Sequence, residues 1–202
     1  AASRVYGGQS FGGAINIVTR RDTARIVEAG AQGGSYGTFG ADARGSYKGQ
    51  SVSASYIQSD GGTENSAFKR GQAFLSGEIS RSRNLDFFWQ AGYCQKQYGA
   101  NTFYSAAYPD QWEAQRRYIV SASAQVKAGG FTFSPNIYWQ RAADHFQLIR
   151  HSATGENFHC ADVYGAELKG HVTWAAGKTA FGADMRNEGI LSTNLGRPME
   201  EE

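Results

Sequence analysis

Histidine and cysteine are the residue types of this chain best suited to catalysis or metal binding, and their spacing supports neither. The histidines are His145, His151, His159 and His171, and the cysteines are Cys94 and Cys160. Asp144 and His145 are neighbours in an alternating segment, so in a strand their side chains point to opposite faces and cannot form a catalytic pair. No histidine or cysteine spacing matches a standard zinc motif, and two distant thiols do not establish a disulfide. We therefore expect no catalytic residue and no zinc centre.

A segment of mixed aromatic and polar residues, 97–112, is the strongest candidate for ligand binding. Its candidate contact residues are Tyr98, Asn101, Phe103, Tyr104 and Tyr108. Rings that provide apolar contact, combined with a few groups that provide oriented hydrogen bonds, suit a large planar ligand. The alternative is that these rings form an aromatic girdle or pack within their own loop.

Carboxylates at 60 and 64 are candidates for a structural calcium site. Asp60 and Glu64, with Asn65 beside them, carry the oxygen ligands that calcium prefers. They do not complete a calcium-loop pattern, so a solvated loop is the competing interpretation. Apart from this candidate ion, we expect no cofactor.

The composition favours long paired strands. The chain has 26 Gly, 11 Tyr, 12 Phe and 4 Trp but only 3 Pro, and proline removes a donor from a strand ladder. The 20 Lys and Arg are nearly balanced by 18 Asp and Glu, and they form no basic stripe that would indicate a nucleic-acid partner. No run of the sequence approaches the roughly 18 apolar residues of a transmembrane helix. A barrel that alternates lipid-facing and lumen-facing residues would also have a polar average.

Apolar and polar side chains alternate over long stretches from residue 24 onwards. In 118–127 the even positions are Tyr, Val, Ala, Ala and Val, and four of the five odd positions are polar. The pattern predicts strands at 24–35, 37–48, 50–60, 70–81, 84–96, 113–127, 130–146, 159–174 and 178–191. Most exceed the roughly five or six residues usual in globular proteins and match the roughly 9–11 tilted residues that cross a bilayer. The expected fold class is all-β, an antiparallel transmembrane β-barrel of which about nine strands are present.

The breaks between these strands are alternately short and long. The short ones are 48–50, 82–84, 128–130 and 175–177; the long ones are 61–69, 97–112 and 147–158, with a short exception at 33–37. Short turns at one end and long loops at the other are typical of outer-membrane barrels. Aromatic residues near the strand ends, among them Trp89, Tyr93, Tyr118, Trp139 and Trp174, suit a membrane interface. Ordinary core aromatics of a soluble β-sandwich are the alternative.

One segment, Val5–Arg20, closely resembles the end of the plug domain in TonB-dependent outer-membrane receptors. It has an aliphatic-Tyr-Gly start, then Gly-Gly, a small residue, Ile-Asn-Ile-aliphatic-Thr and a basic residue. The residues that carry the match are Tyr6, Gly7, Gly12, Gly13 and Asn16. The resemblance implies that residues 1–22 are the C-terminal end of a plug. Residues 23–202 would then be the N-terminal, incomplete part of a barrel that has about twenty-two strands in the family.

What the resemblance implies is energy-coupled import. A scarce ligand would bind the outer loops in the outer membrane of a Gram-negative bacterium, and the TonB complex would pull on the plug. Residues 108–112 and 181–190 resemble segments of cobalamin-type receptors of Bacteroidetes, which makes cobalamin the first candidate ligand and an iron-siderophore the second. The implied partners are outer-membrane lipid, the TonB energy-coupling complex and the cobalamin or metal-chelate ligand.

Other functions remain open at this point. A passive porin or adhesin barrel would have the same strands but no plug motif before the first one. An outer-membrane protease or phospholipase would need serine, histidine and a carboxylate converging at the rim, which the strand pattern does not predict. As a fragment, the chain is expected neither to insert stably into a membrane nor to transport on its own, because it would leave bare strand edges.

Overall fold

A single antiparallel β-sheet accounts for nearly all of residues 24–195, which the computed structural model describes apart from the side chain of Arg81. The strands are β1 (Ile26–Gly34), β2 (Thr38–Tyr47), β3 (Gln50–Ser59), β4 (Phe68–Ser82), β5 (Leu85–Gly99), β6 (Trp112–Ala128), β7 (Phe131–Gln147), β8 (Glu156–Trp174) and β9 (Gly177–Ser192). Each strand is hydrogen-bonded to the next in chain order, and a short 3-10 helix, Thr193–Leu195, follows β9. The all-β class and the nine predicted strands are confirmed. The sheet is open, because β1 and β9 each have one neighbour.

The predicted plug residues lie outside the described residues. They are Tyr6, Gly7, Gly12, Gly13 and Asn16. The predicted plug domain, residues 1–22, therefore stays a prediction from resemblance.

Several strands run further towards the long connections than the sequence predicts. β5 continues to Gly99 rather than to residue 96, and β8 begins at Glu156 rather than at 159. The ladder persists there because Tyr98 still pairs with Phe68 on one side and with Glu113 on the other. The prediction that Tyr98 lies in a loop is therefore wrong.

Two-residue turns join the strands at one end of the sheet, and mostly longer connections join them at the other. The turns are residues 48–49, 83–84, 129–130 and 175–176; the opposite connections are 35–37, 60–67, 100–111 and 148–155. Lys48 and Gly49 both have positive φ, 50° and 78°, which is the geometry of a tight type I′ hairpin turn. The predicted asymmetry between short turns and long loops is confirmed for these residues.

The register gives the sheet one apolar face and one polar face. Leu75, Ala91, Val120, Trp139 and Tyr164 are successive cross-strand partners, so they lie on one face in five consecutive strands. This apolar face also includes Val27, Ala43, Val52, Trp89, Ala122, Ile137, Leu168 and Met185. Alternation along every strand therefore becomes a continuous apolar surface across the whole sheet.

The apolar face is uncovered. Among the described residues Ala100 is the only buried hydrophobic side chain, whereas Ile137 and Met185 are 61% and 71% exposed. A soluble β-sandwich buries such a face against a second layer, and residues 24–195 form one layer only. No helix among these residues is long and apolar enough to cross a membrane.

The opposite face carries the charges. Asp42, Arg44, Glu78, Glu167, Lys169, Asp184 and Arg186 all occupy register positions on this polar face. Lys169 Nζ lies 2.9 Å from Glu167 Oε2, and Arg44 Nη1 lies 3.7 Å from Glu28 Oε2. A recess of about 440 Å³ nearer the turn end has serine, asparagine, glutamine and tyrosine as half of its lining residues. These seven charged side chains therefore share one face of the sheet.

Candidate functional site

A row of aromatic side chains crosses the apolar face near the middle of its strands, on the loop side of the aliphatic residues. This girdle consists of Tyr56, Tyr93, Tyr118, Trp139 and Tyr164. The rings of Tyr93 and Tyr118 are 5.0 Å apart, and those of Tyr118 and Trp139 are 6.3 Å apart. Three of the five rings therefore form a contiguous surface, and the whole row lies between the aliphatic residues of this face and the loops.

The polar tips of the girdle are hydrogen-bonded towards the loop end. Tyr56 Oη donates to Gln58 Oε1 at 2.8 Å, and Tyr93 Oη donates to Gln95 Oε1 at 2.9 Å. Trp139 Nε1 donates to Asp162 Oδ1 at 2.9 Å. Each of these rings therefore has its apolar body on one side and its polar group on the other, as amphipathic aromatics do at a polar–apolar boundary.

Three of the long connections are tied together by backbone and amide hydrogen bonds. Asn65 Nδ2 donates to the carbonyl oxygens of Pro109 and Gln111, both at 2.7 Å. Asn101 Nδ2 donates to the carbonyl oxygen of Glu64 at 2.7 Å, and the Arg150 amide donates to the Asp110 carbonyl at 3.1 Å. Connections 60–67, 100–111 and 148–155 therefore form one hydrogen-bonded loop cluster.

A buried glutamine and a buried glutamate organise the centre of this loop cluster. Gln111 is fully buried; its Oε1 accepts from the Tyr104 amide at 3.0 Å, and its Nε2 donates to the Ser105 carbonyl at 2.9 Å. The Tyr104 hydroxyl donates to Glu113, which is 3% exposed. Desolvation, together with this carboxylate, raises the pKa of the Tyr104 hydroxyl above its usual range. Tyr104 therefore remains a neutral hydrogen-bond donor at ordinary pH.

The predicted ligand-contact residues have different environments. Phe103, Tyr104 and Tyr108 are 77%, 53% and 38% exposed, and the rings of Phe103 and Tyr104 meet edge-on at 4.8 Å. Asn101 uses its amide to hold the loop cluster, and Tyr98 lies in β5, where its hydroxyl interacts with Glu113 and Tyr104. Phe103, Tyr104 and Tyr108 are consequently the ones that present ring surface outward.

The carboxylates predicted for calcium lie in one connection without a complete ligand set. The Asp60 carboxylate packs against Gly37, where a side-chain Cβ would come within 2.2 Å of Asp60 Oδ2. Glu64 accepts a hydrogen bond from Asn101 through its backbone carbonyl oxygen. Within residues 24–195 no group of three or more metal-ligating acidic, histidine or cysteine side chains occurs. The calcium site of Asp60 and Glu64 stays a prediction.

A second cluster, which the sequence did not predict, lies on the apolar face beyond the girdle. His145 Nε2 is 2.7 Å from Glu156 Oε1, which also accepts from Gln147 Nε2 at 2.8 Å. The His145 ring stacks on Phe158 at 4.2 Å and meets Trp112 edge-on at 5.3 Å. Asp144 lies on the polar face, as predicted, so it does not pair with His145.

Comparison with known proteins identifies no similar protein. No family model, curated protein or solved structure matches this chain. A functional assignment therefore depends on the two-faced sheet, the girdle, the loop cluster and the resemblance of residues 5–20.

Proposed function

We propose that this chain forms part of the wall of an outer-membrane β-barrel in a TonB-dependent receptor, which imports a scarce ligand. The observation that carries the membrane part of the proposal is the exposed apolar face. Burial of apolar surface contributes about 25 cal/mol per Å², so an apolar surface of this extent is costly in water. Lipid covers such a face when the polar face lines the interior of a barrel.

The height of the apolar face supports a bilayer as its environment. On β6 it extends from Tyr118 to Ala128, a span of ten residue steps. At about 3.3 Å per step and a tilt of roughly 40°, this span is about 25 Å high, the usual height of the apolar band of such barrels. The girdle lies at the loop end of this span, where a membrane interface is expected.

The orientation follows from the connections. Outer-membrane barrels have short turns on the periplasmic side and longer loops outside. The loop cluster is therefore extracellular, and Phe103, Tyr104 and Tyr108 present their rings to the medium. These rings suit apolar contact with a large planar chelate or corrin, which supports cobalamin as the first candidate ligand and an iron-siderophore as the second.

Energy coupling is proposed from sequence resemblance. The Val5–Arg20 segment resembles the plug end of TonB-dependent receptors, and a plug distinguishes these importers from passive porins and adhesins. The proposed partners are therefore outer-membrane lipid, the TonB complex and the imported ligand. The proposed role is transport, without a catalytic residue.

Uptake in cells tests the proposal. We expect that deleting the gene abolishes uptake of labelled cobalamin, or of a labelled iron-siderophore, and that full-length protein restores it. Because import requires TonB, a protonophore or loss of TonB should stop uptake while surface binding of the ligand persists. Uptake that continues at the same rate without TonB would favour the passive barrel and contradict energy coupling.

A further inference from the structure

The Tyr104 side chain presents its ring to the medium and its hydroxyl to the inside of the loop cluster. Tyr104 is 53% exposed, yet its hydroxyl donates to Glu113, which is 3% exposed. The ring also meets the rings of Phe103 and Phe146 edge-on, with centroids 4.8 Å and 5.2 Å away. A molecule that reaches this surface therefore contacts aromatic carbon, because the hydroxyl group already has its partner.

Glu113 belongs to a strand, whereas Tyr104 belongs to a connection. Glu113 is the second residue of β6 and lies on the polar face, where its register partners are Tyr98 of β5 and Phe146 of β7. Strand neighbours on both sides hold the Glu113 backbone, and Tyr104 lies within connection 100–111. The bond between the two side chains thus fixes a loop ring to the sheet. A binding group is held more precisely by a strand than by a loop alone.

Three donors converge on the Glu113 carboxylate. They are the hydroxyls of Tyr98 and Tyr104 and the Nε2 group of Gln115. This arrangement fits an ionised carboxylate, which accepts hydrogen bonds and donates none. Within residues 24–195 no lysine, arginine or histidine forms an ion pair with Glu113. Its charge therefore orients neutral donors, through bonds that are stronger than those between two neutral groups.

The Gln115 side chain indicates that this network is not arranged for stability alone. Its Nε2 group donates to Glu113, and its Oε1 atom is buried without a hydrogen-bond partner among the described residues. A buried acceptor without a partner destabilises a fold, and buried charges can often be replaced by apolar side chains without loss of stability. Departures of this kind are expected at functional sites. A functional role of the Glu113 charge explains why both features are present.

We propose that Glu113 is a positioning residue for ligand recognition: its carboxylate holds the Tyr104 hydroxyl inward, so that the Tyr104 ring forms the recognition surface. The ligand class that this surface fits has a flat face of conjugated carbon, as a corrin or a metal catecholate does. Fixing the ring before binding lowers the entropy lost when the ligand binds. This inference rests on the proposed function, since it requires that the rings at 103 and 104 contact the imported ligand.

Uptake kinetics of the full-length protein test this role, with labelled cyanocobalamin and a labelled ferric catecholate siderophore as the two probes. Glu113→Gln keeps the size of the side chain but removes its charge and adds donors where three donors already converge; Tyr104→Phe keeps the ring and removes its hydroxyl. We expect each change to raise the KM for uptake about tenfold and to leave the maximal rate unchanged, because the ring acts in binding only. The double variant should match either single variant, since both break the same bond.

Glu167→Gln is the matched control, because it makes the same change on the same polar face, near the turn end. We expect it to leave KM unchanged. A spin label at Ala107→Cys, in full-length protein carrying Cys94→Ser and Cys160→Ser, reports the loop without any ligand. The label should become more mobile in Glu113→Gln and in Tyr104→Phe, and not in Glu167→Gln.

The outcomes separate this inference from the proposed function. If Phe103→Ala raises KM while Glu113→Gln and Tyr104→Phe do not, the rings still bind ligand and the positioning role is overturned. A lower maximal rate at unchanged KM would mean that Glu113 only stabilises the protein, and additive effects in the double variant would mean that the two side chains act independently; either result overturns the inference. Wild-type protein that takes up neither probe would overturn both the inference and the proposed function.

Discussion

Asp162 joins the girdle to the polar zone beyond it. Its Oδ1 accepts from Trp139 Nε1 at 2.9 Å and from Arg141 Nε at 3.0 Å, and its Oδ2 accepts from Arg141 Nη2 at 2.9 Å. Two parallel bonds from one guanidinium fix both partners in orientation as well as in distance. This carboxylate thereby holds the Trp139 indole and the Arg141 guanidinium in one arrangement across β7 and β8.

Replacing this carboxylate tests how much the arrangement contributes to stability. Asp162→Asn removes the charge and presents an amide NH₂ group to Arg141, so at least one bidentate bond is lost. Because the site is partly exposed, we expect a loss of about 1–2 kcal/mol in the free energy of unfolding. Urea unfolding of the full-length protein in micelles, followed by tryptophan fluorescence, measures the change.

The control for Asp162→Asn is Glu188→Gln on β9. Glu188 pairs with Arg186 on an exposed surface, where ion pairs contribute about 0–1 kcal/mol. Equal small losses from both substitutions would mean that the girdle carboxylate is no more than a surface ion pair.

The long connections behave as structural elements because they are bonded to one another. Asn65 is central to this arrangement, because its side-chain amide donates to two backbone carbonyls of connection 100–111. The φ of Asn65 is 48°, in the left-handed region that asparagine tolerates. The exposed rings at 103, 104 and 108 are therefore presented by a braced loop rather than by a free one.

Breaking the Asn65 bridge should loosen that loop. Asn65→Asp keeps the backbone preference but replaces two donors by carboxylate oxygens that repel the carbonyls of Pro109 and Gln111. Two lost hydrogen bonds, about 1 kcal/mol each, predict up to thirtyfold faster protease cleavage within 100–111. Limited proteolysis of full-length protein in vesicles measures the rate.

The control for Asn65→Asp is Glu64→Gln, because the observed bond of residue 64 to Asn101 uses its carbonyl oxygen rather than its side chain. An unchanged cleavage rate in Asn65→Asp would show that the connections hold their shape without this bridge.

The strands were predictable from sequence because side-chain alternation reports the two faces directly. The apolar positions of 118–127 gave the apolar face of β6, and the short breaks gave the turns at 48–49 and 129–130. The end of β5 was missed because Gln97, Tyr98 and Gly99 lack the alternation, although their backbones continue the ladder. Alternation in the sequence shows which side chains share a face, whereas the backbone hydrogen bonds of the ladder form without any such alternation.

The site was less predictable than the strands because its contacts depend on register. The pairing of His145 with Glu156 follows from the alignment of β7 and β8 across connection 148–155, which no local pattern specifies. Gln111 reads as an ordinary polar loop residue, yet it is the fully buried centre of the loop cluster. The exposed aromatics of 97–112 were found from composition, but not which of them face outward.

At the scale of the whole molecule, the stability of the sheet depends on which solvent each face meets. Residues 24–195 have a nine-stranded sheet with almost no buried apolar side chain, so the sheet cannot obtain its stability from a core of its own. Lipid on one face and a polar interior on the other would give the sheet the stability that it lacks by itself. The position of the girdle and the lengths of the connections both indicate the same orientation of the sheet, with the long connections on the outside.

Residue-by-residue labelling along β6 tests this central claim most directly. Single cysteines at 119–124, in full-length protein carrying Cys94→Ser and Cys160→Ser, receive an environment-sensitive fluorophore in reconstituted vesicles. Val120, Ala122 and Ala124 should be quenched by lipid-bound nitroxides, and Ile119, Ser121 and Ser123 should not. Uniform labelling without a period of two, or stronger lipid quenching at the odd positions, would contradict the account.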